Sequence, residues 1–326
     1  MAQIKRIGLL TSGGDAPGMN AAIRAVVRKA IHEGLEIVGI LRGYEGLIKG
    51  DFIPMDSKSV GNIIQLGGTI LKTARSEKFR TVEGRQEAYN KLIEAQIDAL
   101  VVIGGDGTFT GARKFIEEHN FPIVGIPGTI DNDLYGTDMT IGYDTALNTV
   151  VEAVDKIRDT AASHERIFFI EVMGRDAGFI ALRSGIACGA EAILVPEVET
   201  NLEELHNQLT HYMCKKKTSS IILVAEGDDA GGAFKIKKAM EKYGNEFDMK
   251  VTVLGHIQRG GSPSAYDRYL ASRLGVSAID ALLDDQRSIM VGMIHRDVVY
   301  VPFAQTIKHH KTIDQTLLNI VDILNS

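Results

Sequence analysis

One pattern recurs along this chain and limits the folds open to it: a short β-branched apolar run, a turn rich in Gly and Asp, then a stretch of helical period. RIGLL leads into TSGGDAPG, ALVVI into GGDGTFTG, PIVGI into PGTIDND, RIFFIEV into MGRDAG, SSIILVA into EGDDAGG and VTVLG into HIQRGGSPS. Strands this short and uniformly apolar, alternating with helices, predict parallel sheets covered on both faces. After the first turn Ile23, Val26, Val27, Ala30 and Ile31 line one helix face, and after TIDND Leu147, Val150, Val151, Val154 and Ile157 do the same. The reading is an α/β protein of doubly wound type. Such sheets bind ligands beyond the carboxyl ends of their strands, which is where each polar turn falls.

Composition narrows the function classes. The 326 residues are 44% hydrophobic and 24% charged, an ordinary globular balance, and the length suggests two domains. With 42 acidic against 36 Lys and Arg residues the formal charge is −6, which argues against a general nucleic-acid binder. Cys188 and Cys214 have no metal-ligand spacing, so a reducing compartment is expected. The apolar run in MAQIKRIGLLTSGGD is too short for a signal peptide, and no segment approaches the ~18 apolar residues of a membrane span. A soluble, cytoplasmic protein is expected.

The turns carry the chemistry. TSGGDAPGMN, 11–20, offers successive backbone amides and a helix start, which suit an anion or simply a tight turn. In GGDGTFTG, 104–111, Gly104, Gly105 and Gly107 allow close approach to a phosphate, and Asp106 could hold a magnesium ion or cap the next helix. The phosphate reading is favoured, although the third Gly comes one residue late for a dinucleotide fingerprint. TIDND places Asp131 and Asp133 after an apolar strand, one as general base and the other near a metal. The structural alternative is a cap for a helix starting near Thr140, which Asp138 is expected to supply. Arg175, His256 and Arg259 stand at such turns and Arg75 follows LKTA; singly each reads as a solvated charge, but together they suit a sugar phosphate, while Glu226 could accept from sugar hydroxyls or cap a helix.

Two basic residues stand at the wrong end. Arg166 opens the strand whose far end carries Arg175, and Lys250 precedes VTVLG, whose far end carries His256. At ~3.3 Å per residue each lies on the order of 20 Å from its own chain's ligand edge, so they read either as strand-start charges facing water or, if they bind substrate, most simply as part of another subunit's site. Arg24 and Arg28, one helical turn apart, and the run Lys215, Lys216, Lys217 read either as a second anion site or as solvated faces.

Taken in order, KRIGLLTSGGDAPGMNAAIR, PGTIDND, DKIRDTAASHERIFFIEVMGRDAG, LGHIQRGGSPSAYDR and HKTIDQ resemble the ATP-dependent 6-phosphofructokinases of bacteria, over essentially the whole chain. The resemblance implies two similar doubly wound, Rossmann-like domains with the active site in the cleft between them, and a homotetramer. It implies a larger ATP-binding domain, 1–141 plus 257–305, and a smaller sugar-phosphate domain, 142–256 plus 306–326. By it, Asp131 is the base at the sugar 1-hydroxyl, flanked by Thr129 and Ile130, with Asp133 supporting the metal region. Gly14, Arg75, Ser76, Gly105, Asp106, Gly107 and Thr108 match ATP positions, with Asp106 at Mg2+. Met173, Gly174, Arg175, Glu226, His256 and Arg259 match the fructose 6-phosphate site, with Arg175 also balancing transition-state charge. Arg166 and Lys250 reach that site from a neighbouring subunit.

The resemblance also implies an effector site for ADP or phosphoenolpyruvate at Arg24, Arg28, Arg158, Gly189, Glu191, Lys215 and Lys217. Three positions depart from the pattern: Lys250 replaces a frequent Arg and loses its planar fork, Ser57 stands where some members have Arg, and Lys215 replaces another. Pyrophosphate-dependent relatives typically carry Asp at Gly107 and Lys at Gly128; two glycines leave room for an adenylate, which favours ATP. The competing readings are pyrophosphate as donor, a dinucleotide or lipid kinase with the same GGDG turn, and a non-catalytic phosphometabolite sensor.

Overall fold

The computed structural model describes residues 4–164, 166–214, 219–244, 247–309 and 311–325. The chain forms two compact units: Met1–Thr129, Leu134–Thr145 and Arg259–His310 make the first, and Ile130–Asp133, Ala146–Gln258 and Lys311–Ser326 the second. In chain order the elements up to the crossing are β1 (Arg6–Thr11), α1 (Met19–His32), β2 (Glu36–Ile40), α2 (Gly43–Lys49), β3 (Phe52–Met55), α3 (Val82–Glu94), β4 (Ala99–Gly104), α4 (Asp106–His119), β5 (Ile123–Pro127) and α5 (Tyr143–His164). The second unit continues with β6 (Ile167–Val172), α6 (Phe179–Cys188), β7 (Ala192–Leu194), α7 (Leu202–Cys214), β8 (Ser220–Ala225), α8 (Ala233–Met240) and β9 (Met249–Val253). The chain then returns to the first unit for α9 (Ala265–Leu283), β10 (Ile289–Ile294), β11 (Asp297–Pro302) and α10 (Phe303–Lys308), and ends with α11 (Gln315–Asn325) in the second.

In the first unit seven strands run in the order β11-β10-β5-β4-β1-β2-β3. The five inner strands pair in parallel, as the apolar runs predict, but β3 and β11 are antiparallel edges. β11 returns directly from β10 and β3 comes back beside β2 after α2, and their Pro54 and Pro302 suit an edge position. Leu10, Leu100 and Val102 pack with Tyr44, Leu92, Phe109, Phe115 and Phe303 on one face. On the other, α1 and α9 approach so closely that a Cβ at Gly275 would lie 2.6 Å from that of Ala25. Ile23, Val26, Val27 and Ala30 of α1 are buried as expected; Ile31 is 39% exposed, because it falls at the helix's last turn beyond the stripe.

The second unit holds a four-stranded parallel sheet, β7-β8-β6-β9. Ile167, Phe169, Ile222 and Val224 pack against Leu205 and Leu209 of α7 and Ile236 and Met240 of α8. On the opposite face α6 sits close at Gly185, where a Cβ would meet Ile193 at 2.3 Å. In α5 Val150 and Val154 are fully buried, while Leu147, Val151 and Ile157 are half-buried. No helix among the described residues is long and apolar enough to cross a membrane.

Candidate active site

In the first unit the strand order reverses between β1 and β4, so their carboxyl ends form the crevice where such sheets bind ligands. TSGGD follows β1 and GGDG follows β4. Backbone bonds lace the ends together: the Ser12 amide donates to the Ile103 carbonyl (2.9 Å) and the Gly128 amide to that of Gly104 (2.9 Å). Gly13 takes φ +86° and gives the first turn its direction. Thr108 is buried between the two turns. A Cβ on Gly104 would lie 2.3 Å from its hydroxyl and one on Gly13 3.5 Å away, and that hydroxyl has no hydrogen-bond partner among the described residues. A buried hydroxyl without a partner is uncommon, and this one lies beneath both glycine turns.

Asp106 does not cap α4. Gly105 is the N-cap with extended backbone, and Asp106 is the first helical residue, half-buried at the positive end of the helix. Gly107 has no atom within 4 Å of its missing Cβ, so the space beside Asp106 is open. At Gly128 the reason for glycine is different: a Cβ there would press on Ile103 (3.0 Å) and Met19 (3.1 Å). Ser76 donates to Glu45 (2.8 Å), while Arg75 is exposed beside it. The Asn20 amide holds the loop before them: it donates to the Leu66 and Gly67 carbonyls (both 3.1 Å) and accepts the Ile70 amide (2.8 Å). Arg259 lies over Gly14, close enough that a Cβ there would meet its guanidinium at 2.5 Å, and donates to the Asp15 carbonyl (3.2 Å).

After β5 the chain loops out and back: the Ile141 amide donates to the Pro127 carbonyl (2.9 Å) and the Thr140 hydroxyl to that of Thr129 (2.6 Å). Ile130 is buried and Asp131 nearly so, Asp133 is half-buried, and Asn132 takes φ +54°, a left-handed turn that Asn tolerates. Asp138 is not the expected cap, because α5 starts only at Tyr143. Its carboxylate instead accepts the His295 amide (2.8 Å) in the turn between β10 and β11.

In the second unit three strand ends gather the sugar-phosphate candidates. Arg175 is exposed at φ +58°, after Gly174 at φ +146°, and its amide donates to Glu226 (2.8 Å). That contact, rather than a helix cap, is what Glu226 makes; α8 begins only at Ala233. His256 is exposed on a one-turn 3₁₀ helix, Gly255–Arg259. Gln258 of that turn is fully buried, accepts the Met173 amide (3.2 Å) and donates to the Gly255 carbonyl (2.9 Å), tying MGR to HIQR. Sequence reasoning missed Gln258 because nothing local marks a glutamine as buried.

At the other end of the same sheet Arg166 and Lys250 meet on one carboxylate. Asp248 accepts Arg166 Nε and Lys250 Nζ, each at 2.7 Å. Lys250 is the second residue of β9 rather than its prelude, and Lys250 followed by Arg166 hold the Asp248 carboxyl below its ordinary range. Arg24 and Arg28 lie on α1, half-buried and exposed. In the second unit Arg158 donates to the Cys188 (2.6 Å) and Gly189 (3.1 Å) carbonyls at the end of α6, where Gly189 takes φ +61°. Glu191 is buried and accepts the Ile221 amide (2.6 Å). Lys215 and Lys217 lie outside the described residues.

Glycine turns at the strand ends of one doubly wound sheet, and a second parallel sheet with Arg175 and His256 at its strand ends, are an arrangement suited to a phosphotransferase of the α/β type. The family model for Phosphofructokinase matches residues 6–282, and the chain belongs to that family. It is 58% identical to "ATP-dependent 6-phosphofructokinase 2" of Bacteroides thetaiotaomicron over 100% of both chains. It is 56% identical to "ATP-dependent 6-phosphofructokinase 1" of Thermus thermophilus over 98% of this chain and 99% of that one. Among solved structures, phosphofructokinase from Saccharomyces cerevisiae matches with TM-score 0.87 and 39% identity over 98% of this chain, which spans 47% of the yeast chain's length.

Proposed function

We propose that this chain transfers the γ-phosphate of MgATP to the 1-hydroxyl of fructose 6-phosphate, giving fructose 1,6-bisphosphate and ADP. The observation that carries the reading is the cradle at the ends of β1 and β4: two glycine turns around the unpartnered Thr108 hydroxyl, with open space at Gly107. Gly14, Arg75, Ser76, Gly105, Gly107 and Thr108 receive the nucleotide. Asp131 takes the proton from the attacking hydroxyl, with Thr129 and Ile130 beside it and Asp133 supporting the metal region. Met173, Gly174, Arg175, Glu226, His256 and Arg259 bind the sugar phosphate, and Arg175 offsets charge developing on the transferred group. Relatives named for ATP-dependent activity support the donor.

Magnesium fits the donor set. No group of three or more His, Cys, Asp or Glu side chains among the described residues forms a metal cage. Mg2+ needs none, because it keeps waters and takes one or two carboxylates plus substrate phosphates, so Asp106 suffices. Bound there, the ion neutralises phosphate charge, while the α4 amides and Thr108 orient the oxygens. We read the first unit as the nucleotide domain and the second as the sugar-phosphate domain. A homotetramer, Arg166 and Lys250 serving a neighbour's site, an ADP or phosphoenolpyruvate effector site at Arg24, Arg28, Arg158, Gly189, Glu191, Lys215 and Lys217, and a cytoplasmic location complete the proposal.

The test is phosphorylation of fructose 6-phosphate with magnesium, offering ATP and pyrophosphate separately. ATP alone should serve, and Asp131→Asn should lower turnover roughly 10²–10⁴-fold with binding largely kept. Pyrophosphate-only turnover would overturn the donor, and near-normal turnover in Asp131→Asn would overturn the base.

A further inference from the structure

Two helix amino ends in the first unit cap each other. Asp267, in the first turn of α9 and fully buried, accepts the Gly142 amide (2.9 Å), the Thr145 amide (2.8 Å) and the Thr145 hydroxyl (2.5 Å) at the start of α5. In return, the Ser264 amide donates to the Thr145 hydroxyl (2.9 Å) and the Ser264 hydroxyl to Asp144 (2.6 Å). Ser264 is also the N-cap of α9, accepting the Asp267 amide (3.1 Å). Ser264 and Asp267 have the spacing of a capping box, in which the acid would reach back to the amide of its own cap. Here the acid serves the other helix, and that amide finds Thr145 instead.

A buried carboxylate is retained only where donors surround it, and three do. What they join is informative. Gly142 ends the 128–141 loop that carries Thr129, Ile130, Asp131 and Asp133. Ser264 ends the 255–263 segment that carries His256 and Arg259, whose last residues are held by Arg268 through the Pro263 carbonyl (2.8 Å) and the Ser262 hydroxyl (2.9 Å).

We propose that Asp267 is a positioning residue for phosphoryl transfer: by locking the first turns of α5 and α9 together it fixes the roots of the loop bearing the base and of the segment bearing the 6-phosphate residues. The assignment rests on the reaction proposed above. Asp267 touches no reacting atom; it acts through the two segments it anchors.

The variant that reads this is Asp267→Asn, which keeps the shape but turns an amide donor toward the donors of α5. The expected result is a folded protein whose kcat falls on the order of 10²-fold, the cost of roughly 1 Å of misplacement, with the KM for ATP within about two-fold of the parent. Hydrogen exchange should speed up across both 128–141 and 255–263 and stay unchanged in β1 and α4. Unchanged kcat in the folded variant, or faster exchange confined to residues 142–146 and 264–268, would overturn the proposal. If Asp267→Asn does not fold, Ser264→Ala removes the opposite half of the joint and should show the same pattern at smaller size; a normal kcat there overturns it. If the parent protein transfers nothing from ATP to fructose 6-phosphate, the reaction fails, and the exchange pattern alone decides the role of Asp267.

Discussion

Glycine is the residue whose meaning the structure changes most. Gly107 and Gly128 carry the same argument in the sequence, room for an adenylate, yet only Gly107 faces open space. Gly107→Asp should therefore leave the thermal midpoint unchanged or slightly raised, since an acid in a first helical turn gains about 0.3–1 kcal/mol. The same change should sharply raise the KM for ATP, and an unaffected KM would sink the donor argument. Gly128→Lys, the larger side chain, should instead cost roughly 1–3 kcal/mol by pressing on Ile103 and Met19, read as a lowered unfolding midpoint. Asp267 gives a pH signature. Burial pushes its carboxyl from 3.8 up to about 6 against the three hydrogen bonds it accepts. The folded state thus holds the proton more tightly, so this contribution is fully present below about 3.8 and lost as pH rises through about 6. The stability difference between parent and Asp267→Asn should fall over that interval, and a flat difference would show the carboxyl titrates normally.

Among the elements, the turns at strand ends depend on buried polar struts that no periodicity marks. Gln258 joins the turn after β6 to the turn after β9 through one accepted and one donated bond. Gln258→Leu would leave the Met173 amide and the Gly255 carbonyl unpaired, at roughly 1–3 kcal/mol. The KM for fructose 6-phosphate should rise while that for ATP stays put, and steady-state kinetics with each substrate varied separates the two. Asn20 plays the matching part for the loop before Arg75 and Ser76. Six strands and the apolar faces of α1 and α5 were legible. Six apolar runs became β1, β4, β5, β6, β8 and β9; the first five are buried along most of their length, as strands covered on both faces must be, while β9 is a half-exposed sheet edge that carries Lys250 and Thr252. β2, β7 and β10 were not among those runs, nor were the edges β3 and β11, whose half-exposed strands carry the mixed sequences FIPM and DVVYVP.

For the whole molecule, the decisive feature is the strand-start pair Arg166 and Lys250. The sequence places them a strand's length from their own ligand edge, and the structure gathers both on Asp248. If they serve a neighbour's sugar-phosphate site, hybrids of Asp131→Asn and Arg166→Ala subunits should regain activity that neither variant shows alone. Co-refolded mixtures assayed with MgATP and fructose 6-phosphate test this, and activity no greater than the sum of the parents would sink the shared site. By itself the sequence determined the α/β class and the strand-end placement of GGDG and TIDND, because periodicity and short glycine turns are local properties of the chain, and the resemblance of its ordered motifs pointed to the family. Only the tertiary structure decided that Asp138 binds the His295 amide, that Gly128 is packed rather than open, and that Asp267 and Gln258 are buried struts. Asp138 reaches 157 residues to His295, Asp267 reaches 125 and 122 to Gly142 and Thr145, and Gln258 reaches 85 to Met173, while Gly128 is packed by Met19 and Ile103; such partners are set by packing rather than by neighbours in sequence.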